Sequence, residues 1–163
     1  MVKKETDYAK FNEIADKIIH TEKYESMKNY IAHSDITTYE HSVLVAKSAY
    51  NYAVNHKVKC DIESLVRGAL LHDYFLYDWH KNPKFTFHGF KHAKIAMKNA
   101  ERDYGLNDKE KNIILSHMFP LNLFSFPKCR EAWIVTMADK KSAITETMRK
   151  YKKGYKNNTE RRG

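Results

Sequence analysis

Apolar residues recur at helical spacing in one segment after another, and few residues interrupt them. In residues 6–20, Tyr8, Phe11, Ile14, Ala15 and Ile18 share one face, with Thr6 as the expected N-cap. Residues 22–31 read as a shorter helix, and His33-Ser34-Asp35 as a break. Residues 38–56 align Val43, Leu44, Ala46, Ala49, Tyr50 and Ala53 along one stripe. Asp61 is placed to cap a helix that turns Ile62, Leu65, Val66, Ala69 and Leu70 inward and runs to about residue 72. A further helix spans 88–104 and is stopped by Gly105. Asn107 or Asp108 caps the next one, which directs Ile113, Ile114 and Met118 inward and ends at Pro120. A long helix then runs from Arg130 to Tyr151. Residues 74–87, aromatic and broken by Asn82-Pro83, and residues 121–128 are loops. With 5 Gly and 3 Pro in the chain and no segment alternating at period two, the expected fold is an all-α bundle of about six or seven helices.

A chain of 163 residues suits one domain with one core. The expected division is a helical domain over 1–154 and a basic tail over 155–163 whose composition allows disorder. No window approaches the length of apolar chain that crosses a bilayer, and the N-terminus MVKKETDYAKF lacks a secretory apolar run. Cys60 and Cys129 are too far apart in sequence for a CxxC metal site and too few for a disulfide framework. The expected compartment is therefore the reducing cytoplasm. The net charge of +9 is uneven: Arg149, Lys150, Lys152, Lys153, Lys156, Arg161 and Arg162 stand against Glu160 alone in the last fifteen residues. A frayed, solvated helix end accounts for that run better than a nucleic-acid contact, even with Tyr151 and Tyr155 among the bases.

The histidines point to chemistry. His72-Asp73 ends the apolar run Gly68-Ala69-Leu70-Leu71, and two polar side chains there are costly without a partner. Adjacent helical residues diverge by about 100°, so both can meet one ion only beside the helix, with further ligands from other segments. Several are available. His41 heads a helix, Asp139 follows the run Ile134-Val135-Thr136-Met137-Ala138, and His117 follows Ile113-Ile114-Leu115-Ser116. His88 and His92 are four apart on one helical face. His20, His33, His56 and His80 are read as surface or structural residues. A mixed imidazole and carboxylate set suits Fe, Mn, Zn, Co or Ni better than Mg or Ca.

His41, His72-Asp73 and Asp139 in Ala138-Asp139-Lys140 together resemble the HD-domain superfamily of metal-dependent phosphohydrolases. The resemblance covers about residues 35–147 and implies an all-helical HD-type bundle with a metal held by His41, His72, Asp73 and Asp139. Some subfamilies of that superfamily bind a second metal through two more histidines, with the HD aspartate bridging. His92-Ala93-Lys94-Ile95-Ala96 is similar to their HPxxGA segment, and His117 to the second extra ligand. The resemblance thus implies one or two divalent transition-metal ions, with His92 and His117 on the second and His88 as the rival to His92. The continuation Tyr74-Phe75-Leu76-Tyr77-Asp78 departs from the HDxxED, HD-Gly-Lys with GYP, and HDxGH patterns of the superfamily's guanosine-tetraphosphate, cyclic-di-GMP and dGTP hydrolases. His72 through His80 is most similar to a segment of small, stand-alone bacterial HD proteins.

The function this resemblance implies is hydrolysis of a nucleotide or small phosphoester by metal-activated water. Asp73, His88 and Lys140 are the candidate catalytic residues, with His88 as proton donor to the leaving group and Lys140 neutralising a phosphate oxygen. Arg67 is the weaker candidate for that last task, since it projects away from His72. Trp79, Phe85 and Phe87 are candidates to stack on a base, against packing beneath the loop. A di-iron oxygenase on the same ligand set and a non-catalytic nucleotide or nucleic-acid binding module are the competing readings. The expected partner is a small phosphorylated substrate, with neither a membrane nor a nucleic acid favoured.

Overall fold

The computed structural model describes residues 7–33, 35–78 and 88–160, with side chains for all of these except 33, 88–90 and 150–160. Among the described residues are seven α-helices: α1 (Ala9–Ile19), α2 (Glu22–Glu25), α3 (Thr38–Asn55), α4 (Ile62–Leu71), α5 (His88–Tyr104), α6 (Asp108–Ser116) and α7 (Arg130–Glu160). A 3-10 turn, Ser26–Asn29, follows α2. The fold is an all-α bundle, as the periodicity predicts. Its one addition is a two-stranded antiparallel ribbon, β1 (Ile31–His33) and β2 (Ile36–Thr37). Three and two residues are too few to show alternation, so the sequence carries no readable signal for it.

The helix starts are chemically specified. Thr37 opens α3 in a capping box, accepting the Glu40 N–H while Glu40 accepts that of Thr37. Asn107 opens α6 with the same reciprocal pair to Glu110, which decides between the two candidate caps. Asp61 caps α4 as expected, accepting from the Ser64 N–H. Helix α1 starts later than expected: Asp7 accepts the Ala9 N–H, and Thr6 lies outside the described residues. Gly105 ends α5 in the left-handed region, at φ +60°. Helix α6 stops at Ser116, four residues before Pro120, and α7 continues nine residues past Tyr151.

Helix α3 packs on α4 and α7, and α6 lies against α4, α5 and α7. Phe11, Ile14, Ile18, Val45, Ala49, Leu65, Leu70, Ile113, Ile114 and Val135 form the shared core. On α3 the buried stripe runs through Val45 rather than Leu44, which is 47% exposed. Helix α4 reaches α6 through Gly68, where a Cβ would stand 2.7 Å from Ile113 Cδ1 and 2.9 Å from its Cγ2. This close approach brings the C-terminal ends of α4 and α6 together. His72 and Asp73 follow the first and His117 the second. Among the described residues no helix is long and apolar enough to cross a membrane.

Candidate metal centre

Five segments deliver six polar side chains to one buried place. His41 comes from the first turn of α3, His72 and Asp73 from the end of α4, His92 from α5, His117 from the end of α6 and Asp139 from α7. All six are buried, the two aspartates at 7% exposure and the histidines at 4% or less. They fall into three overlapping triads whose ligand atoms lie within 4.8 Å of one another: His41–His72–Asp73, His72–His117–Asp139 and Asp73–His92–His117. Residues nearly one hundred positions apart thus meet in space, as the sequence expectation requires.

Backbone hydrogen bonds set the imidazole tautomers. His72 donates Nδ1–H to the Ala69 carbonyl at 2.7 Å, and His117 donates Nδ1–H to the Ile114 carbonyl at 2.7 Å. With Nδ1–H so engaged, the neutral form of each ring presents its Nε2 lone pair to the cluster. His72 Nε2 lies 3.6 Å from Asp73 Oδ2 and 3.7 Å from Asp139 Oδ1, and His117 Nε2 lies 3.5 Å from Asp73 Oδ1. His92 Nε2 is 2.8 Å from His117 Nε2 and 3.3 Å from Asp73 Oδ1. Since His117 offers a lone pair, His92 is the donor in that contact. His41 is held between two carboxylates, with Nε2 3.0 Å from Asp139 Oδ1 and Nδ1 3.1 Å from Glu146 Oε1.

The charges follow from this packing. Burial opposes ionisation of Asp73, but the imidazoles of His72, His117 and His92 outweigh it and hold its carboxyl well below the usual range. Burial also opposes ionisation of Asp139, but the hydrogen bond from His41 and the nearby imidazoles of His72 and His117 outweigh it and hold its carboxyl well below the usual range. For His41, burial pulls the pKa down, yet the hydrogen bonds to Asp139 and Glu146 bring it up to about 10. Burial lowers the pKa of His117 and keeps that ring neutral. Tyr77 is pushed up to about 12 by burial and then by the Asp73 charge, so its phenol stays protonated at neutral pH.

The donor set fits a metal ion. Among the described residues, His72 Nε2 and Asp73 Oδ1 are buried without a hydrogen-bond partner. Lone pairs and carboxylate oxygens converging in a buried volume repel unless a cation lies among them. Neutral imidazoles with their far N–H on a backbone carbonyl, and carboxylates that stay ionised, are the forms in which these groups bind metals.

Of the remaining expectations, His92 rather than its rival His88 has a described place in the cluster; the His88 side chain lies outside the described residues. Trp79, His80, Phe85 and Phe87 also lie outside them. Within the aromatic stretch, Tyr74 and Phe75 are core residues, and the Tyr74 hydroxyl donates to Asp103. Lys140 Nζ donates to the His117 carbonyl at 3.0 Å, and burial lowers its pKa. Arg67 is turned away from the cluster, donating to Glu110 and to the carbonyls of Tyr104 and Gly105. Among the described residues, Glu146 is a contributor that sequence reasoning passes over. Its signal is spacing alone: seven residues after Asp139 returns a side chain to the same helical face.

No curated protein and no solved structure matches the chain. The family model described as HD domain matches residues 38–144, two-thirds of the chain, from the residue after the α3 cap to beyond Asp139. With the match spanning the helices that carry all six clustered residues, the chain belongs to the HD domain family.

Proposed function

We propose that the protein is a metal-dependent phosphohydrolase acting on a nucleotide or small phosphoester. The observation that carries this reading is the convergence of His41, His72, Asp73 and Asp139, with Asp73 also facing His92 and His117. The first four would hold one divalent transition metal. His92 and His117 would hold a second, with Asp73 shared between the two. When bound, such an ion supplies Lewis acidity, acidifying water and drawing charge from phosphoryl oxygens.

The chain's own residues prepare the site for that role. The Ala69 and Ile114 carbonyls fix His72 and His117 as lone-pair donors, so little reorganisation accompanies binding. Asp73 and Asp139 stay ionised in a nearly dry cluster, where charge acts strongly. They also keep the most exposure in the cluster, 7% against 4% or less for the histidines, which supports an approach of substrate from their side. The half-buried Tyr77, backed by the buried Phe75 ring 5.0 Å away, would give that side an aromatic surface suited to a base or sugar. Lys140 holds the His117 carbonyl through one N–H and would meet a phosphoryl oxygen with another. His88, one turn before His92 on α5, is the proposed proton donor to the leaving group. The free thiols of Cys60 and Cys129 suit a reducing cytoplasm.

The test is a panel of nucleotides and phosphomonoesters assayed for phosphate release with Mn²⁺, Co²⁺, Ni²⁺ or Fe²⁺ added to chelator-stripped protein. Release that needs the metal and disappears in Asp73→Ala supports the reading. Oxygen uptake without phosphate release would assign the cluster to an oxygenase instead.

A further inference from the structure

Past Asp139, helix α7 leaves the core: among its described side chains from Lys140 to Arg149, Glu146 alone is buried, at 6% exposure. Burying a carboxylate on a helix that is otherwise turning to solvent needs a compensating partner. Its partner is His41. Both Glu146 oxygens lie within reach of His41 Nδ1, at 3.1 and 3.2 Å, while the opposite nitrogen of the ring faces Asp139 at 3.0 Å. Asp139 and Glu146 are two helical turns apart on one face, so a single imidazole spans two carboxylates of the same helix. His72 and His117 are oriented by backbone carbonyls of their own helices. On His41 Nδ1 a side chain from another element, Glu146 of α7, takes that part.

We propose that Glu146 is a positioning residue for the metal centre: it accepts the Nδ1–H of His41 and so keeps Nε2 aimed at the ion. A histidine ring has a broad, roughly two-fold torsional preference, so rotation about its last bond exchanges nitrogen for carbon at little intrinsic cost. The carboxylate removes that freedom by leaving one orientation hydrogen-bonded. Glu146 lies beyond the span matched by the family model, which ends at residue 144. The inference rests on the metal reading above, and its test separates the two.

The measurement is calorimetric titration of chelator-stripped protein with Mn²⁺, for the wild type, Glu146→Gln and Glu146→Met. Glutamine keeps an acceptor oxygen; methionine fills a similar volume and offers none of comparable strength. The expected result is an affinity within a few-fold of wild type for Gln and a loss of about 10–100-fold for Met, the usual effect of removing such an outer partner. The visible spectrum of the Co²⁺-loaded protein should change in Met and hold in Gln. Met binding as tightly as wild type, with an unchanged spectrum, would overturn the proposal. Should Met fail to fold, long-range ¹H–¹⁵N NMR of the Zn²⁺-loaded wild type decides: His41 protonated at Nδ1 upholds it, and His41 bound to metal through Nδ1 overturns it. A wild type that takes up no Mn²⁺ sinks the metal reading itself, and the role of Glu146 with it.

Discussion

His41 has a carboxylate on each side, which ties metal uptake to proton loss. With Nδ1 on Glu146 and Nε2 on Asp139, the ring donates at both ends and carries both protons in the metal-free protein. The Nε2 proton must leave before that nitrogen can be a ligand. Metal binding at pH 7 should therefore release about one proton from His41, read as a buffer-dependent enthalpy in calorimetry. Uptake with no buffer dependence would contradict the assigned contacts. Asp73, whose Oδ2 faces His41 and His72 while its Oδ1 faces His92 and His117, should be the least replaceable member. Asp73→Asn keeps its shape and removes its charge, and the expected loss in turnover is about 10²–10³-fold or more, measured as phosphate release at saturating metal. These two residues differ in legibility. Asp73 is conspicuous beside His72 at the end of an apolar run. Glu146, flanked by Thr145 and Thr147, has the local sequence of a solvated face, and only the path of α3 shows that it is buried.

At the scale of elements, the crossing of α4 and α6 sets the spacing of the site. Gly68 costs α4 up to about 1 kcal/mol of helix propensity relative to alanine. The Ile113 contacts explain its presence: a methyl group at Gly68 would meet a fully buried, branched side chain at under 3.0 Å on two of its atoms. Gly68→Ala should therefore destabilise the protein by about 1–2 kcal/mol, overpacking outweighing the propensity gain. Urea unfolding checks this, and a more stable variant would contradict the close approach. The same mutation should weaken metal affinity, because it separates His72 from His117. Helices are legible where their apolar stripes repeat over successive turns, as in α1 and α4. The exceptions have local causes. Helix α7 leaves Trp133, Met137, Ile144 and Met148 at least 46% exposed, so apolar character alone does not mark its inner face. The ribbon of β1 and β2 owes its place to packing against α3 rather than to its own pattern.

For the molecule as a whole, Asp103 joins distant parts of the bundle. Its side chain, 2% exposed, accepts from Lys23 at 2.6 Å, from Arg102 at 2.6 Å and from the Tyr74 hydroxyl at 3.2 Å. The Arg102 guanidinium beside it, with Lys23 and Tyr74 adding their hydrogen bonds against the opposing effect of burial, holds its carboxyl well below the ordinary value. Because the folded pKa lies below the unfolded one of about 3.9, its contribution is fully present above about pH 4 and is lost as the pH falls toward the folded pKa. Asp103→Asn should lower Tm at neutral pH and flatten its decline below about pH 4, as followed by scanning calorimetry. A parallel decline in both proteins would remove Asp103 from the acid response. The global arrangement follows from the same logic as the site: the helices hold together through a core of ordinary apolar residues, and the polar cluster is buried where the ends of α4 and α6 meet α3, α5 and α7.

The central claim is that six side chains from five segments form one metal centre that holds one or two cations. It is tested most directly by anomalous diffraction from crystals of the protein loaded with Mn²⁺ or Fe²⁺. The account predicts one or two peaks within about 2.0–2.3 Å of ligand atoms, the first among His41 Nε2, His72 Nε2, Asp73 and Asp139. Loaded crystals with no peak in that cluster, or with peaks only at surface carboxylates, would contradict it.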